Sequence, residues 1–335
     1  MPVQTLKIGL IGAGRIGRLH AEHLTSRIPS ADLVMVADPF EEAARSCAER
    51  YAIPCYGRDY RAVLDRPDIQ AVVICSSTDT HAQIIEEAAQ AGKHVFCEKP
   101  IALDLPSIDQ ALDAVKRSGV KLQIGFNRRF DTNYRRVRQA VEQGEIGQPL
   151  VLHIVSRDPE PPPIEYIRVS GGIFLDMAIH DFDMARYLVG SEVEEVFAQA
   201  NSIGDPIIAE AGDVENAVVM LRFANGVIGT ISNSRHAVYG YDQRVELLGS
   251  AGAISTENNY PNTAIISDAR SIHRDLPLHF FVERYTDSFI IEMMAFVDAV
   301  LRDEPVPVNG NDGRFPVAIA LAAHMSLVEH RPVRL

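Results

Sequence analysis

The sequence lacks a basic excess. Lys and Arg total 32 against 45 Asp and Glu, a formal charge of −13. A surface of that sign repels phosphate backbones and anionic lipid, so neither nucleic acid nor a membrane is an expected partner. Long apolar runs are missing too. No uncharged stretch approaches the roughly 18–20 residues that span a bilayer, and no basic-then-apolar leader precedes the first structured run at Leu6. Cysteine is scarce: Cys47, Cys55, Cys75 and Cys97 lie far apart in apolar stretches. That spacing argues against a disulfide frame or a zinc site and suits packed, reduced thiols in the cytoplasm. Nor is the composition biased: 47% hydrophobic and 23% charged residues exclude a disordered or collagen-like chain. The 335 residues amount to two domains at roughly 150 residues each.

In the first third, apolar runs alternate with helix-period segments. Leu6–Ile11, Asp32–Asp38, Ala71–Cys75, Val95–Cys97 and Leu122–Phe126 read as strands. Arg15–Leu24, Glu41–Tyr51, His81–Ala91 and Ser107–Arg117 read as helices. Strands that are apolar throughout and alternate with helices predict a parallel sheet covered on both faces, a Rossmann-type doubly wound α/β domain over residues 1–125. Residues 126–335 read differently. Helices are expected at Asp131–Gln143, Gly172–Leu188, Tyr285–Arg302 and Asp312–His330, and strands at Leu150–Arg157, Val193–Ile203, Asn216–Phe223, Val227–Ser234, Gln243–Gly249 and Ala264–Ser267. The Ala224-Asn225-Gly226 link carries the Asn-Gly hairpin signature. The prediction is an α+β domain with a large, mainly antiparallel open sheet.

Gly12-Ala13-Gly14-Arg15-Ile16-Gly17 is G-x-G-x-x-G placed after a strand and opening a helix, the context that motif requires. Gly12 permits a tight turn, Gly14 admits a pyrophosphate to the backbone, and Gly17 lets the helix pack on the strand. Asp38 closes the second strand about twenty residues later, where a carboxylate accepts from ribose hydroxyls and repels a 2′-phosphate. This favours NAD over NADP, with Arg15 a nearby positive charge that softens the preference. A strand-end turn aspartate before Pro39 is the competing reading.

Glu98-Lys99-Pro100 follows a strand at its carboxyl end, where doubly wound sheets bind ligands. A lysine there is placed to stabilise a developing alkoxide; an ordinary surface lysine is the plain alternative. Asp176 and His180 are four apart in a predicted helix and so share a face. His180 carries the side chain suited to proton transfer near neutral pH, and Asp176 orients it or grips a substrate hydroxyl. A core histidine with a capping aspartate competes with this. A metal site drawn from Asp176, His180, Asp181 and Asp183 is the weakest reading, because Asp181 and Asp183 point to other faces.

Taken in order, GLIGAGRIGRLH, VADPF, CSSTDTHA, VFCEKPIALD, GFNRRFD and GGIFLDMAIHDFDMARYL resemble the glucose–fructose oxidoreductase/inositol dehydrogenase family (Gfo/Idh/MocA) over essentially the whole chain. SRDPEPPPIEYI, ISNSRHAVYGYDQRVELLGSAGA, FFVERYTDSFIIEM and NGNDG resemble the branch that oxidises inositol at C2. The resemblance implies that Lys99 holds the reacting hydroxyl, His180 is the general base and Asp176 its partner. It implies that Asn127, Arg128, Arg129, Asp158, Tyr239 and Tyr241, with Asp242 beside them, border a polyol. It also places Ser76, His81 and Glu98 with Gly12, Gly14, Arg15, Ile16, Gly17, Asp38 and Lys99 on the cofactor side. Ser76-Ser77 stands where many relatives have Thr-Pro, so a stiffer turn is lost there.

The implied activity is NAD-dependent oxidation of myo-inositol to 2-keto-myo-inositol (scyllo-inosose), with no metal. A dehydrogenase of another inositol isomer, inositol derivative or sugar is the first alternative. A redox-neutral NAD-using glycosidase or lyase is the second, and a dinucleotide-sensing regulator the third. An open antiparallel sheet leaves an apolar face that monomers rarely expose, so a homodimer or homotetramer is expected.

Overall fold

A computed structural model describes residues 5–335. The chain forms two compact units. One runs up to Asn127 and takes back Asp287–Val317, and the other holds Arg128–Thr286 and Ala318–Leu335.

The first unit runs β1 (Leu6–Ile11), α1 (Arg15–Ser26), β2 (Ala31–Ala37), α2 (Glu41–Tyr51), β3 (Cys55–Gly57), α3 (Arg61–Leu64), β4 (Ala71–Ile74), α4 (Thr78–Gln90), β5 (His94–Glu98), α5 (Leu105–Ser118) and β6 (Leu122–Gly125). All six strands are parallel, in the order β3-β2-β1-β4-β5-β6. The order reverses beside β1, which is the switch point where such sheets take ligands. Helix boundaries follow local chemistry. At α5 the Asp104 side chain accepts from Ser107 N, Pro106 lies in the first turn and Gly119 at φ +67° ends the helix. The sequence reading omits β3 and α3, which are three and four residues long, too short to show a period.

The second unit contains α6 (Thr132–Glu142), β7 (Pro149–Arg157), α7 (Ile164–Ile167), α8 (Gly172–Asp176), α9 (Ile179–Val189), β8 (Val193–Asn201), α10 (Pro206–Glu210), β9 (Asn216–Phe223), β10 (Ile228–Ser234), β11 (Asp242–Gly249), β12 (Gly252–Thr256), β13 (Ile265–Ser267), β14 (Ile272–Arg274) and α11 (Phe281–Arg284). The chain ends with α12 (Thr286–Leu301), α13 (Gly310–Glu329) and β15 (Val333–Arg334). The large sheet has the order β12-β11-β7-β10-β9-β8-β15. It is antiparallel except where β7 runs parallel to β10. The Asn-Gly hairpin joins β9 to β10, with Gly226 at φ +88°.

Two expectations need correction. The single helix predicted over Gly172–Leu188 is two, α8 and α9, parted at Met177-Ala178. The Ile173 carbonyl accepts from both Met177 N and Ala178 N, at 3.1 and 2.8 Å, so the hydrogen-bond ladder slips there. A single break near residue 125 also fails, because α12 belongs with the first unit. Its Met293, Phe296 and Val297 complete the core formed by Leu6, Ile8, Leu10, Leu24, Val36, Val73 and Phe96. A helical period reveals a buried face but not which sheet receives it.

Candidate active site

Loops after β1, β2, β4 and β5, four adjacent strands, bring the cofactor-side residues to one carboxyl edge of the parallel sheet. Gly12 turns at φ +98°, and a β-carbon there would strike the Cys75 carbonyl. A β-carbon on Gly17 would overlap the Gly12 carbonyl oxygen, so this position sets how closely α1 meets the loop. At Gly14 a β-carbon would meet nothing within 4 Å, the open approach that a pyrophosphate needs. Gly14 caps α1 without a side-chain bond, and the first turn holds no acidic residue, so the positive helix end faces that opening unneutralised. Arg15 is exposed and Ile16 partly so.

Asp38 is tied to the loop by its own carboxylate. Oδ2 accepts from Ala13 N at 2.8 Å and Oδ1 from Phe40 N at 2.9 Å. The turn aspartate and the ribose acceptor are therefore compatible, since each oxygen keeps a second lone pair. These residues fit a dinucleotide. Ser76 Oγ lies 2.7 Å from Thr80 Oγ1. His81 is buried, with Nδ1 2.8 Å from the Pro100 carbonyl and Nε2 3.0 Å from the Ser76 carbonyl. It thus braces the Ser76 turn against the Lys99 turn. The Lys99–Pro100 bond is cis, and Glu98 Oε1 lies 2.7 Å from His20 Nε2. Asn127 is buried and donates to Ser288 Oγ at 3.4 Å.

In the second unit, buried charges gather around α8, α9 and the end of β10. Arg128 donates to Asp181 Oδ1 at 2.6 Å and to the Tyr241 hydroxyl at 3.3 Å, and its guanidinium lies over the Tyr285 ring. Asn233 donates to the other oxygen of Asp181 at 2.7 Å. Arg129 grips Asp183 with two nitrogens. Asp181 and Asp183, weighed above as metal ligands, are thus each paired with an arginine.

Asp176 accepts from the Tyr166 hydroxyl at 2.9 Å and lies 3.5 Å from Arg235 Nη1. Arg235 is 1% exposed and also bonds Asp213 at 3.0 Å, while Asp213 caps α8 through Ile173 N. Asp158 faces both Arg128 and Arg235. Burial nonetheless pushes its carboxyl up to about 6, the two arginines pulling the other way and Asp176 and Asp181 adding to the rise. His180 is half-buried at the start of α9. Because the helix breaks between them, Asp176 and His180 do not share one continuous helical face.

The Tyr239–Tyr241 pair divides. Tyr241 is buried against Arg128 and stacks edge-on to Tyr285. The Tyr239 hydroxyl instead donates to Asp242 at 2.7 Å and accepts from Arg157 at 2.9 Å. Sequence reasoning missed Asn233, Arg235, Asp213 and Tyr166. A signal existed for the first two: Gly229, Ile231, Asn233 and Arg235 alternate inward along and just past β10, so the strand period places both polar residues on the core face.

Comparison with known proteins agrees with this geometry. A family profile described as "Oxidoreductase family, NAD-binding Rossmann fold" matches residues 6–126, and one described as "GFO/IDH/MocA C-terminal domain" matches residues 134–255. The chain is 48% identical to myo-inositol 2-dehydrogenase of Thermotoga maritima, over 98% of each chain. It is 46% identical to inositol 2-dehydrogenase of Rhizobium meliloti, over 99% of each. The crystal structure of scyllo-inositol dehydrogenase from Lactobacillus casei with bound NAD(H) and scyllo-inositol superposes with a TM-score of 0.93, at 30% identity over 99% of each chain.

Gly17→Ala tests the loop geometry. The overlap with the Gly12 carbonyl is expected to weaken NADH binding about 10- to 100-fold, the equivalent of roughly 1–3 kcal/mol of overpacking. Fluorescence titration of a natively folded variant reads this, and unchanged affinity refutes the role given to Gly17.

Proposed function

The chain belongs to the GFO/IDH/MocA oxidoreductase family, and from that premise we propose that it oxidises myo-inositol at C2, giving 2-keto-myo-inositol (scyllo-inosose). The observation that carries this reading is full-length similarity to proteins named myo-inositol 2-dehydrogenase and inositol 2-dehydrogenase. The residues support it. A polyol ring needs many donors and acceptors, and Arg128, Asp158, Asp176, His180 and Tyr241 offer both. Bound NAD supplies the acceptor for the hydride from C2. Lys99 holds the reacting hydroxyl and stabilises negative charge as it develops on that oxygen. His180 accepts the hydroxyl proton as general base. Asp176, fixed by Tyr166 and Arg235, accepts from a neighbouring hydroxyl or orients His180.

A steady-state survey of myo-, scyllo- and chiro-inositol and glucose, each with NAD and NADP, tests the assignment. Myo-inositol with NAD is expected to give the highest kcat/KM, and His180→Ala to lower kcat about 100-fold or more through lost general-base work. A higher kcat/KM on scyllo-inositol or glucose overturns the substrate, and near-normal turnover in the variant overturns the base.

Asp158 gives the activity a pH signature. Its folded value of about 6 lies above the ordinary 3.8, so the folded protein holds that proton more tightly than the unfolded chain. Ionised Asp158 therefore lowers stability above about pH 6, and this loss fades as pH falls toward 4. If the ionised form accepts from substrate, kcat/KM falls below about pH 6. Asp158→Asn is expected to remove that limb and flatten the dependence of Tm on pH over the same window; a limb that persists in the variant excludes Asp158 as its source.

The outward face of the large sheet presents Val218, Met220, Ile228 and Leu248, each 43–53% exposed. We propose that a second copy of the chain covers it, since an apolar face of this kind marks an association surface. Sedimentation is expected to show a dimer or tetramer that Met220→Lys dissociates. A monomeric wild type sinks this proposal.

A further inference from the structure

Beneath the Lys99 turn lies a buried cluster that the proposed reaction does not use. It joins His20 of α1, Glu98 of β5 and Glu292 of α12, one ligand-type atom of each within 4.8 Å of the others. Glu292 is 0% exposed, and neither of its carboxyl oxygens has a hydrogen-bond partner. Its backbone carbonyl accepts from Gln123 Nε2 at 2.8 Å. The surroundings are apolar. Phe96 and Phe289 stand edge-on to the His20 ring at 5.2 and 6.0 Å, and Phe296 packs on Phe96. The other titratable neighbours are His23, which faces His20, His81, which faces Glu98, and the thiols of Cys75 and Cys97, both held un-ionised by burial. Gly125 makes room for Glu98: a β-carbon there would lie 2.9 Å from Glu98 Oε2.

Two ionised carboxylates cannot share such a space beside one imidazole, because burying an unpaired charge is strongly unfavourable. We propose that Glu292 is carried as a neutral carboxylic acid beside the His20–Glu98 pair, and that this cluster clamps Glu98 and so positions Lys99, the next residue. The asymmetry between the two acids favours this placement of the proton. Glu98 has His20 at 2.7 Å and partial exposure, whereas Glu292 has neither. Burial, and then the Glu98 charge, push the Glu292 carboxyl well above the usual carboxylate range. Glu292 is thus a positioning residue, and its part in turnover rests on the reading that Lys99 holds the reacting hydroxyl.

The test uses the full-length protein. Infrared difference spectra at neutral pH, with and without carbon-13 glutamate, are expected to show the carbonyl stretch of an un-ionised acid that Glu292→Gln removes. Absence of that band, or its persistence in the variant, overturns the proposal. These spectra need no substrate, so they stand even if no inositol is oxidised. In turnover, Glu292→Leu is expected to lower kcat about 10-fold with KM and NADH affinity little changed. Glu292→Gln, a neutral group of the same shape, is expected to restore kcat to within about 3-fold. A Leu variant equal to wild type shows that the cluster positions nothing. A Gln variant as impaired as Leu, or a stoichiometric metal in the purified wild type, shows that a charged carboxylate is required. Either result overturns the inference.

Discussion

Carboxylates outnumber the buried cations that face them, and much of the second unit follows from that imbalance. Asp158, Asp176, Asp181 and Asp213 surround two guanidinium groups, Arg128 and Arg235. An isolated buried charge is intolerable, so each arginine is used more than once. Arg128 is shared between Asp181, the Tyr241 hydroxyl and the Tyr285 ring. Arg235 spans Asp176 and Asp213. Planar, five-donor guanidinium heads suit this, pairing with partners on several sides and stacking on a ring; a lysine's compact ammonium offers three donors and no flat face. At Asp158 burial outweighs the pull of both arginines, and its carboxyl rises to about 6. The same arrangement that holds the helices α8 and α9 therefore leaves one acid sensitive near the pH at which an enzyme works.

The first unit meets a related constraint largely with backbone. One positive side chain reaches the glycine loop from within α1, Arg18 Nε donating to the Ala13 carbonyl at 3.0 Å. The end of α1 supplies the field, and Gly14 supplies the access. Asp38 then ties that loop to its own turn, one oxygen accepting from Ala13 N and the other from Phe40 N, so the carboxylate at the end of β2 also fixes the glycine turn. At the neighbouring strand end His81 sits between the carbonyls of two turns and, neutral through burial, donates to one of them at a time. The residues around Lys99 are thus held from several directions: Pro100 by His81, Glu98 by His20.

Much of this was legible in the sequence because it is local. The parallel sheet showed in apolar runs separated by helix periods, and the glycine loop in its spacing. The boundaries of α2 and β9 were readable to the residue, since Gly, Pro and charge patterns flank them. What escaped was set by long-range contact. The return of α12 depends on Phe296 and Met293 finding the core of a sheet far away in sequence. The break between α8 and α9 depends on one carbonyl accepting twice, which no periodicity records. Tyr239 and Tyr241 look equivalent as a dipeptide repeat. They part because Asp242 and Arg157 lie beside one, and Arg128 beside the other. Arg235, which the sequence analysis passed over, is among the most deeply buried large side chains.

The fixed pairs bear directly on selectivity under the proposed reading. Inositol isomers share composition, size and polarity, and differ only in which ring hydroxyls are axial. A flexible polar pocket would re-pair with any of them. Here Asp176 is tied by Tyr166 and Arg235, and the Arg128 guanidinium by Asp181 and Tyr241, so the acceptors and donors cannot follow a moved hydroxyl. Inverting one carbon then leaves a buried group unpaired, a loss of about 1–3 kcal/mol, or roughly one to two orders of magnitude in kcat/KM. Ion pairs that contribute little to stability on balance can thus discriminate between isomers, because they hold the polar groups still.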